Sequence, residues 1–333
     1  MNILITGIAG LIGSNFADWL IENTDYEIIG IDNLSGGLYE NVNKKVKFYK
    51  LDLTKDFEII ENVIGKFNKI DIIYHFAAYA AEGLSPFIRK FNYTNNLIAT
   101  TNLVSLAIKY NIKRFIFTSS MAVYGNNVAP FTEDLQPRPI DPYGIAKFSC
   151  EQDIRVAGEQ HGLDYCIVRP HNVYGPKQII WDKYRNVLGI WFLQYLRGKP
   201  ITIFGSGTQT RMFTYIDDIL KQLWSAGIDP RFSRLTVNIG ANDQYYTIRE
   251  AANYLFQAIG VKENIIYTDQ RHEVKEATVS HNLIKSLLED ISETDLLSGL
   301  KKMWSWAKQQ SLEVTLQFPD YELEKGIYTV WKI

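Results

Sequence analysis

Asn2-Ile3-Leu4-Ile5-Thr6-Gly7-Ile8-Ala9-Gly10-Leu11-Ile12-Gly13 decides the fold. Asn2 to Thr6 reads as a short buried strand running directly into three glycines. An amphipathic helix follows to about Ile21, with Phe16, Trp19 and Leu20 on its apolar side. In a strand–turn–helix setting each glycine has a physical reason. Gly7 permits the tight turn, Gly10 lets backbone approach a pyrophosphate, and Gly13 lets the helix pack against the strand. The helix N-terminus, with Leu11 and Ile12 in its cradle, offers unpaired N–H groups and a partial positive charge to that anion. The spacing is G-x-x-G-x-x-G, not the G-x-G-x-x-G of the common dinucleotide fingerprint, so the residues downstream must support it.

They do. A second strand, Glu27 to Ile31, ends on Asp32, where an acidic side chain accepts hydrogen bonds from an adenosine ribose. Asn33 continues that turn. No Arg or Lys lies between Asp32 and Lys44 to hold a 2′-phosphate, which favours NAD over NADP. A third strand, Val46 to Leu51, leads to Asp52 and Leu53; Asp52 either reaches the adenine amino group or caps the next helix. Strand four, Asp71 to Phe76, is followed by Ala77, Ala78 and further small residues that let a flat cofactor approach the backbone. A helix from about Pro86 to Tyr110 carries Asn95 and Asn96 in its interior, against their helix propensity. Strand five, Arg114 to Thr118, empties into Ser119-Ser120-Met121-Ala122-Val123-Tyr124-Gly125, at the sheet edge where open α/β sheets bind ligands. Alternating strands and helices with these turns predict a Rossmann-type, doubly wound parallel α/β sheet. Residues 1–175 form the NAD-binding part. A smaller, mixed substrate domain spans 176–333 and is interleaved with it, because Leu235 to Ile239 is expected to return as a strand of the main sheet.

Asp141-Pro142-Tyr143-Gly144-Ile145-Ala146-Lys147 opens a long helix to about Gly162 and places Tyr143 and Lys147 on one face. A tyrosine that is to act as a base near pH 7 must drop by about three pKa units, or about 4 kcal/mol. One cation at about 4 Å supplies roughly that much at an effective dielectric of about 20. Lys147 is therefore expected to pull Tyr143 down.

The whole chain excludes several other classes. Its 333 residues carry a formal charge of −2, which offers no broad pull toward nucleic acid or an anionic membrane. The apolar N-terminal run is too short for a signal peptide or membrane span, and later apolar stretches are interrupted by charge. Cys150 and Cys166 have no metal-ligand spacing, so no metal site is expected. Reduced thiols suggest a soluble cytoplasmic protein.

Taken as a set, these motifs resemble the extended short-chain dehydrogenase/reductases that act on nucleotide sugars, the NAD-dependent epimerase/dehydratase group. The UDP-glucose 4-epimerase branch is the most similar. The resemblance continues through Arg169-Pro170-His171-Asn172-Val173-Tyr174-Gly175-Pro176, Ile203-Phe204-Gly205 and Arg211-Met212-Phe213-Thr214-Tyr215, covering nearly the whole chain. It implies Tyr143 as catalytic base, Lys147 as its cation and nicotinamide-ribose ligand, and Ser120 as the partner of the reacting sugar hydroxyl. It further implies Thr118, Pro170 and Asn96 around the cofactor. The UDP-sugar would meet Arg211 and Arg271 at its diphosphate. Asn172, Asn186, Val187, Thr202 and Phe204 would contact the nucleotide side, and Glu82 and Met121 the sugar side. A homodimer pairing helices 86–110 and 143–161 is implied as well.

Three departures bear on the reaction. Met121 and Ala122 stand where 4,6-dehydratases carry an Asp-Glu pair, and neither can move a proton. No Lys lies near Ala80; Glu82 follows instead, either to cap the next helix or to touch the sugar. His171 stands where an aromatic is common and reads as a hydrogen-bonded structural residue. Ala277, if it gates the sugar pocket, leaves room for a 2-acetamido group. The expected reaction is C4 epimerisation of a UDP-sugar through a 4-keto intermediate. The alternatives are an eliminating enzyme of the same fold and, less favoured, a non-enzymatic NAD sensor.

Overall fold

The computed structural model describes residues 1–67, 69–314, 316 and 318–332. Its centre is a seven-stranded parallel sheet: β1 (Asn2–Thr6), β2 (Glu27–Asp32), β3 (Lys47–Lys50), β4 (Ile72–His75), β5 (Arg114–Thr118), β6 (Tyr165–Pro170) and β7 (Leu235–Ile239). The order is β7-β6-β5-β4-β1-β2-β3, so the winding reverses between β1 and β4. A crevice opens there at the carboxyl ends of the strands. The expected return of Leu235 to Ile239 is observed: it pairs in parallel with β6, Leu235 opposite Cys166.

Period-two alternation builds the core on both faces. Ile3, Ile5, Ile72, Tyr74 and Ile116 point to one side, against Phe16 and Leu20 of α1 (Leu11–Asn23). Leu4, Ile29, Ile73, Phe115 and Phe117 point to the other. That side is covered by α2 (Phe57–Lys66), α4 (Ala99–Lys109) and α5 (Pro142–His161).

The helix expected over 86–110 is one path in four segments. A 3₁₀ turn at Ser85–Phe87 leads to α3 (Arg89–Tyr93), a π turn at Thr94–Ile98, and then α4. The π turn falls on the two asparagines that helix propensity disfavours. It drives Asn96 inward, where its amide receives the Tyr79 N–H (3.0 Å) and donates to the Tyr79 carbonyl (3.2 Å).

Beyond β6 the sheets are small. Val173–Tyr174 pairs with Thr214–Tyr215, Ile201–Phe204 with Ile265–Thr268, and Thr210–Met212 lies between Tyr245–Thr247 and Glu276–Ala277. The aromatic-rich α6 (Val187–Leu196) joins this group, and α7 (Asp217–Ile228) packs back against the α1 side of the main sheet. Among the described residues no helix is long and apolar enough to cross a membrane.

Candidate active site

Two connected cavities occupy the crevice. The smaller, about 110 Å³, is lined by Gly7, Gly10, Asp32, Asn33, Asp52, Leu53, Phe76, Ala77 and Ala78. Gly7 has φ +72°, and a Cβ built on it would lie 2.6 Å from Ala77 N. One built on Gly13 would lie 2.2 Å from Gly7 O. Neither site admits a side chain. Gly10 stands at the N-cap of α1 without a side-chain cap, so the helix's first N–H groups are left for a ligand. Asp32 is fixed by the amides of Ala9 (3.0 Å) and Leu34 (2.7 Å), while burial raises its carboxyl above the usual range. Asp52 does not cap the helix. It turns onto Thr54, whose N–H (2.8 Å) and hydroxyl (2.6 Å) it accepts, and it stays on the cavity wall.

One cofactor candidate moves. Asn96 does not line either cavity; it is 1% exposed and committed to Tyr79 and Asn92. The π turn presents its neighbour Asn95 to the smaller cavity instead.

The larger cavity, about 520 Å³, begins at Gly7, Gly10, Leu11, Ile12 and Gly13 and passes Thr118, Ser120, Tyr143, Lys147 and Pro170. Pro142 starts α5 and Asp141 caps it, accepting from Gly144 N at 2.9 Å. Tyr143 and Lys147 therefore sit one turn apart and both face the cavity. Their electrostatics differ from the sequence expectation. Lys147 Nζ donates to the Thr118 carbonyl at 2.7 Å and lies 5.9 Å from the Tyr143 ring centroid. Burial pulls the ammonium down to about 8. Tyr143 is pushed up, not down, first by its own burial and then by the Glu82 and Asp141 carboxylates; the Ser120 hydroxyl and Arg185 oppose this. The phenol is held protonated chiefly by its burial, with two carboxylates adding to the effect.

Arg211 and Arg271 converge, as expected of a diphosphate clamp, but on a carboxylate. Glu273 receives Arg211 at 2.7 Å and Arg271 at 3.3 Å. Arg271 also stacks on Phe204, 4.8 Å from the ring centroid. Asn172 and Asn186 line the cavity with Val187, Thr202 and Phe204, each asparagine amide tied to backbone: Asn172 to Met212 O (2.8 Å) and Asn186 to Val173 O (2.7 Å).

Glu82 faces the cavity with Arg211, Arg271 and Glu273. No side-chain cap bond from it is formed, so the helix-capping alternative falls away. Desolvation by the surrounding wall and then the Asp141 charge raise its carboxyl above the ordinary range, although the side chain is exposed along the cavity. Met121 and Ala277 do not reach the cavity; both are buried in one apolar cluster with Tyr124 and Phe131. That removes the small-gate argument for a 2-acetamido group. His171 is likewise turned inward, 3.0 Å from His281 Nε2, whose Nδ1 meets Asp243 at 2.7 Å.

The sequence reading missed Glu273, Arg185, Lys183 and Trp331, all on the cavity wall. The Asp182-Lys183-Tyr184-Arg185 run was a usable signal, because charge there interrupts an otherwise apolar segment. Trp331 had none; its place depends on how residues 318–332 fold back.

Residues 3–240 match the NAD dependent epimerase/dehydratase family, and the chain belongs to it. A Methanocaldococcus jannaschii protein provisionally named UDP-glucose 4-epimerase is 32% identical over 312 residues, 93% of this chain and 99% of that one. The UDP-glucuronate 4-epimerase of Thermodesulfobacterium geofontis is 29% identical over 92% of this chain and 96% of its own. Among solved structures, the UDP-glucose 4-epimerase of Thermotoga maritima with UDP-glucose superposes with a TM-score of 0.86 at 33% identity. That match covers 92% of this chain and 98% of the other.

Proposed function

We propose that the chain interconverts a UDP-sugar and its C4 epimer with NAD as resident cofactor. The observation that carries this is a single cavity joining the glycine turn, the Ser120–Tyr143–Lys147 group and the Arg211–Arg271 pair. The dinucleotide end fits NAD. Gly7 and Gly13 form a cradle that a Cβ would fill, the α1 N-terminus is uncapped, and Asp32 is set for a ribose diol while disfavouring a 2′-phosphate. Held there, NAD would supply the acceptor and donor for the hydride exchanged at C4.

The chain's own residues do the rest. Arg211 and Arg271 exchange Glu273 for the substrate diphosphate, a better bidentate acceptor. Ser120 orients the C4 hydroxyl, and Tyr143 takes its proton as the 4-keto sugar forms and gives one back after the sugar turns. Lys147 supplies the nearby positive charge once its bond to Thr118 O is shared with the ligand. On this reading residues 1–175 hold the cofactor and 176–333 the substrate, interleaved through β7. We propose in addition a cytoplasmic homodimer formed across the helical path 86–110 and α5, where Ile98 of the π turn and Ile145 of α5 stand exposed.

NMR of the purified protein with a panel of UDP-sugars in heavy water tests the reaction. C4-epimeric product without label at C5 is the expected result; deuterium at C5 would instead assign an eliminating enzyme, and no turnover of any UDP-sugar would end the proposal.

A further inference from the structure

The strap of residues 176–186 crosses the crevice and carries a cation that the reaction above does not use. Its start is pinned from α1 and from the loop after β2: Asn15 donates to Pro176 O (3.1 Å) and Asn41 to Lys177 O (3.2 Å). From its far end Arg185 reaches back over the crevice. Its Nε ion-pairs with Asp182, whose side chain is 1% exposed, and its guanidinium lies 4.7 Å from the Tyr79 ring centroid. A Cβ built on Gly36, in the loop after β2, would lie 3.0 Å from Arg185 Nη2. The guanidinium therefore spans from the strap to the opposite wall. Among the described residues its two terminal nitrogens make no hydrogen bond.

Where it spans is informative. Asp32 lines only the smaller cavity and Tyr143 only the larger. Arg185 lines both, as do Gly7 and Gly10, and it is the only charged side chain to do so among the described residues. A dinucleotide with its ribose at Asp32 and its reactive ring at Tyr143 must pass between the glycine turn and Arg185. The segment at that waist is the pyrophosphate, which carries two negative charges. Backbone N–H groups and the α1 N-terminus face it from one side; a five-donor planar fork faces it from the other.

We propose that Arg185 clamps the cofactor pyrophosphate, held in place by Asp182 and Tyr79, so that the cofactor stays bound through the cycle. The proposal rests on the NAD reading above. A competing role is a brace that only ties the strap to Asp182.

The test compares wild type, Arg185→Ala and Arg185→Lys, each stripped of nucleotide, by calorimetric titration with NAD and with ADP-ribose, which keeps the pyrophosphate but lacks nicotinamide. Losing a charge-assisted phosphate contact is expected to weaken both ligands by about tenfold to a hundredfold in Arg185→Ala, with partial recovery in Arg185→Lys. Unchanged affinity in Arg185→Ala beside a wild type that binds NAD overturns the clamp and leaves the cofactor reading standing. So does a loss confined to NAD with ADP-ribose unaffected. A wild type that binds neither ligand removes the cofactor reading and the clamp with it. If Arg185→Ala misfolds because Asp182 is left buried and unpaired, Arg185→Met/Asp182→Asn removes both charges. A pure brace then predicts wild-type affinity, and the clamp predicts the same loss.

Discussion

At the Asp32 end of the crevice the walls are mostly backbone and small residues; at the Arg211 end they are side chains borrowed from distant segments. The first wall comes from strand ends β1, β2 and β4 and the turns after them, with Gly7 and Gly13 packed so closely that no Cβ fits. The second gathers Glu82, Tyr143, Arg211, Arg271 and Trp331 from five separate stretches, and its charges neutralise one another through Glu273. A site made of backbone is fixed once the sheet has formed. A site made of long charged side chains can change partners, as the proposed exchange of Glu273 for a diphosphate asks of Arg211 and Arg271. The difference assigns constancy to the cofactor end and exchange to the substrate end.

Tyr143→Phe probes that division most severely. Loss of a positioned acid/base group is expected to lower turnover about 10²- to 10⁴-fold. Nucleotide content of the purified variant, measured after denaturation, is expected to stay at the wild-type level because the phenol hydroxyl is not part of the glycine cradle. Near-normal turnover would show that the reactive centre lies elsewhere. Next come Arg211→Ala and Arg271→Ala. Each is expected to raise KM for the UDP-sugar about tenfold to a hundredfold with little change in bound NAD; steady-state kinetics and nucleotide content read the two ends separately. A variant that loses NAD as well would break the comparison.

What the sequence disclosed follows the same line. The cofactor end was legible because its requirements are local: a tight turn, a close helix approach and a carboxylate at the next strand's end are written within residues 2–32. Six of the seven main-sheet strands, β7 included, were named; β6 (Tyr165–Pro170) was not singled out as a strand. Asn96 failed for a local reason of another kind: a π turn rotates the helix by part of a turn, and no periodicity argument anticipates it. At the substrate end the sequence pointed to residues that do reach the cavity, as with the two arginines, but not to what they meet there. Glu273 and Arg185 escaped because their roles are defined by what faces them across loops. The Tyr143 electrostatics escaped because spacing shows that a cation is near, not which acceptor it chooses.

A broader check on both ends comes from acid. His75, at the end of β4, is hydrogen-bonded to Thr6 (2.6 Å) and Thr100 (2.9 Å); His171, beside the substrate end, is paired with His281. Burial pulls both imidazoles down to about 3. A folded-state pKa below the unfolded value of about 6.5 means that only the unfolded chain gains the proton as pH falls through 6.5. Stability is therefore lost below that point, by about 2 kcal/mol for each such histidine at pH 5. Thermal melting is expected to fall by about 5 °C between pH 7 and pH 5 from these two groups. A flat profile would mean that the imidazoles are solvated, and that the wall at one or both ends is looser than described.

The smallest effect tests the link between the two ends. The Ser85 hydroxyl joins the Glu82 carbonyl (2.8 Å) to the Tyr143 amide (3.2 Å), which pins Glu82 next to the first turn of α5. After burial, the Glu82 carboxylate is the largest influence raising the Tyr143 phenol. Glu82 is itself ionised in the alkaline range where a tyrosine titrates, so its repulsion acts in the window that matters. Glu82→Gln removes that charge at nearly constant shape. The alkaline rise of kcat/KM, which reports ionisation in the free enzyme, is expected to move to lower pH, while KM for a neutral UDP-hexose changes little. The same substitution removes a like charge from any substrate bearing a carboxylate, so UDP-glucuronate is expected to gain on UDP-glucose in relative kcat/KM. A pH profile that stays in place with an unchanged preference between the two sugars would separate Glu82 from both Tyr143 and the sugar, leaving it a wall residue that only balances Arg211 and Arg271.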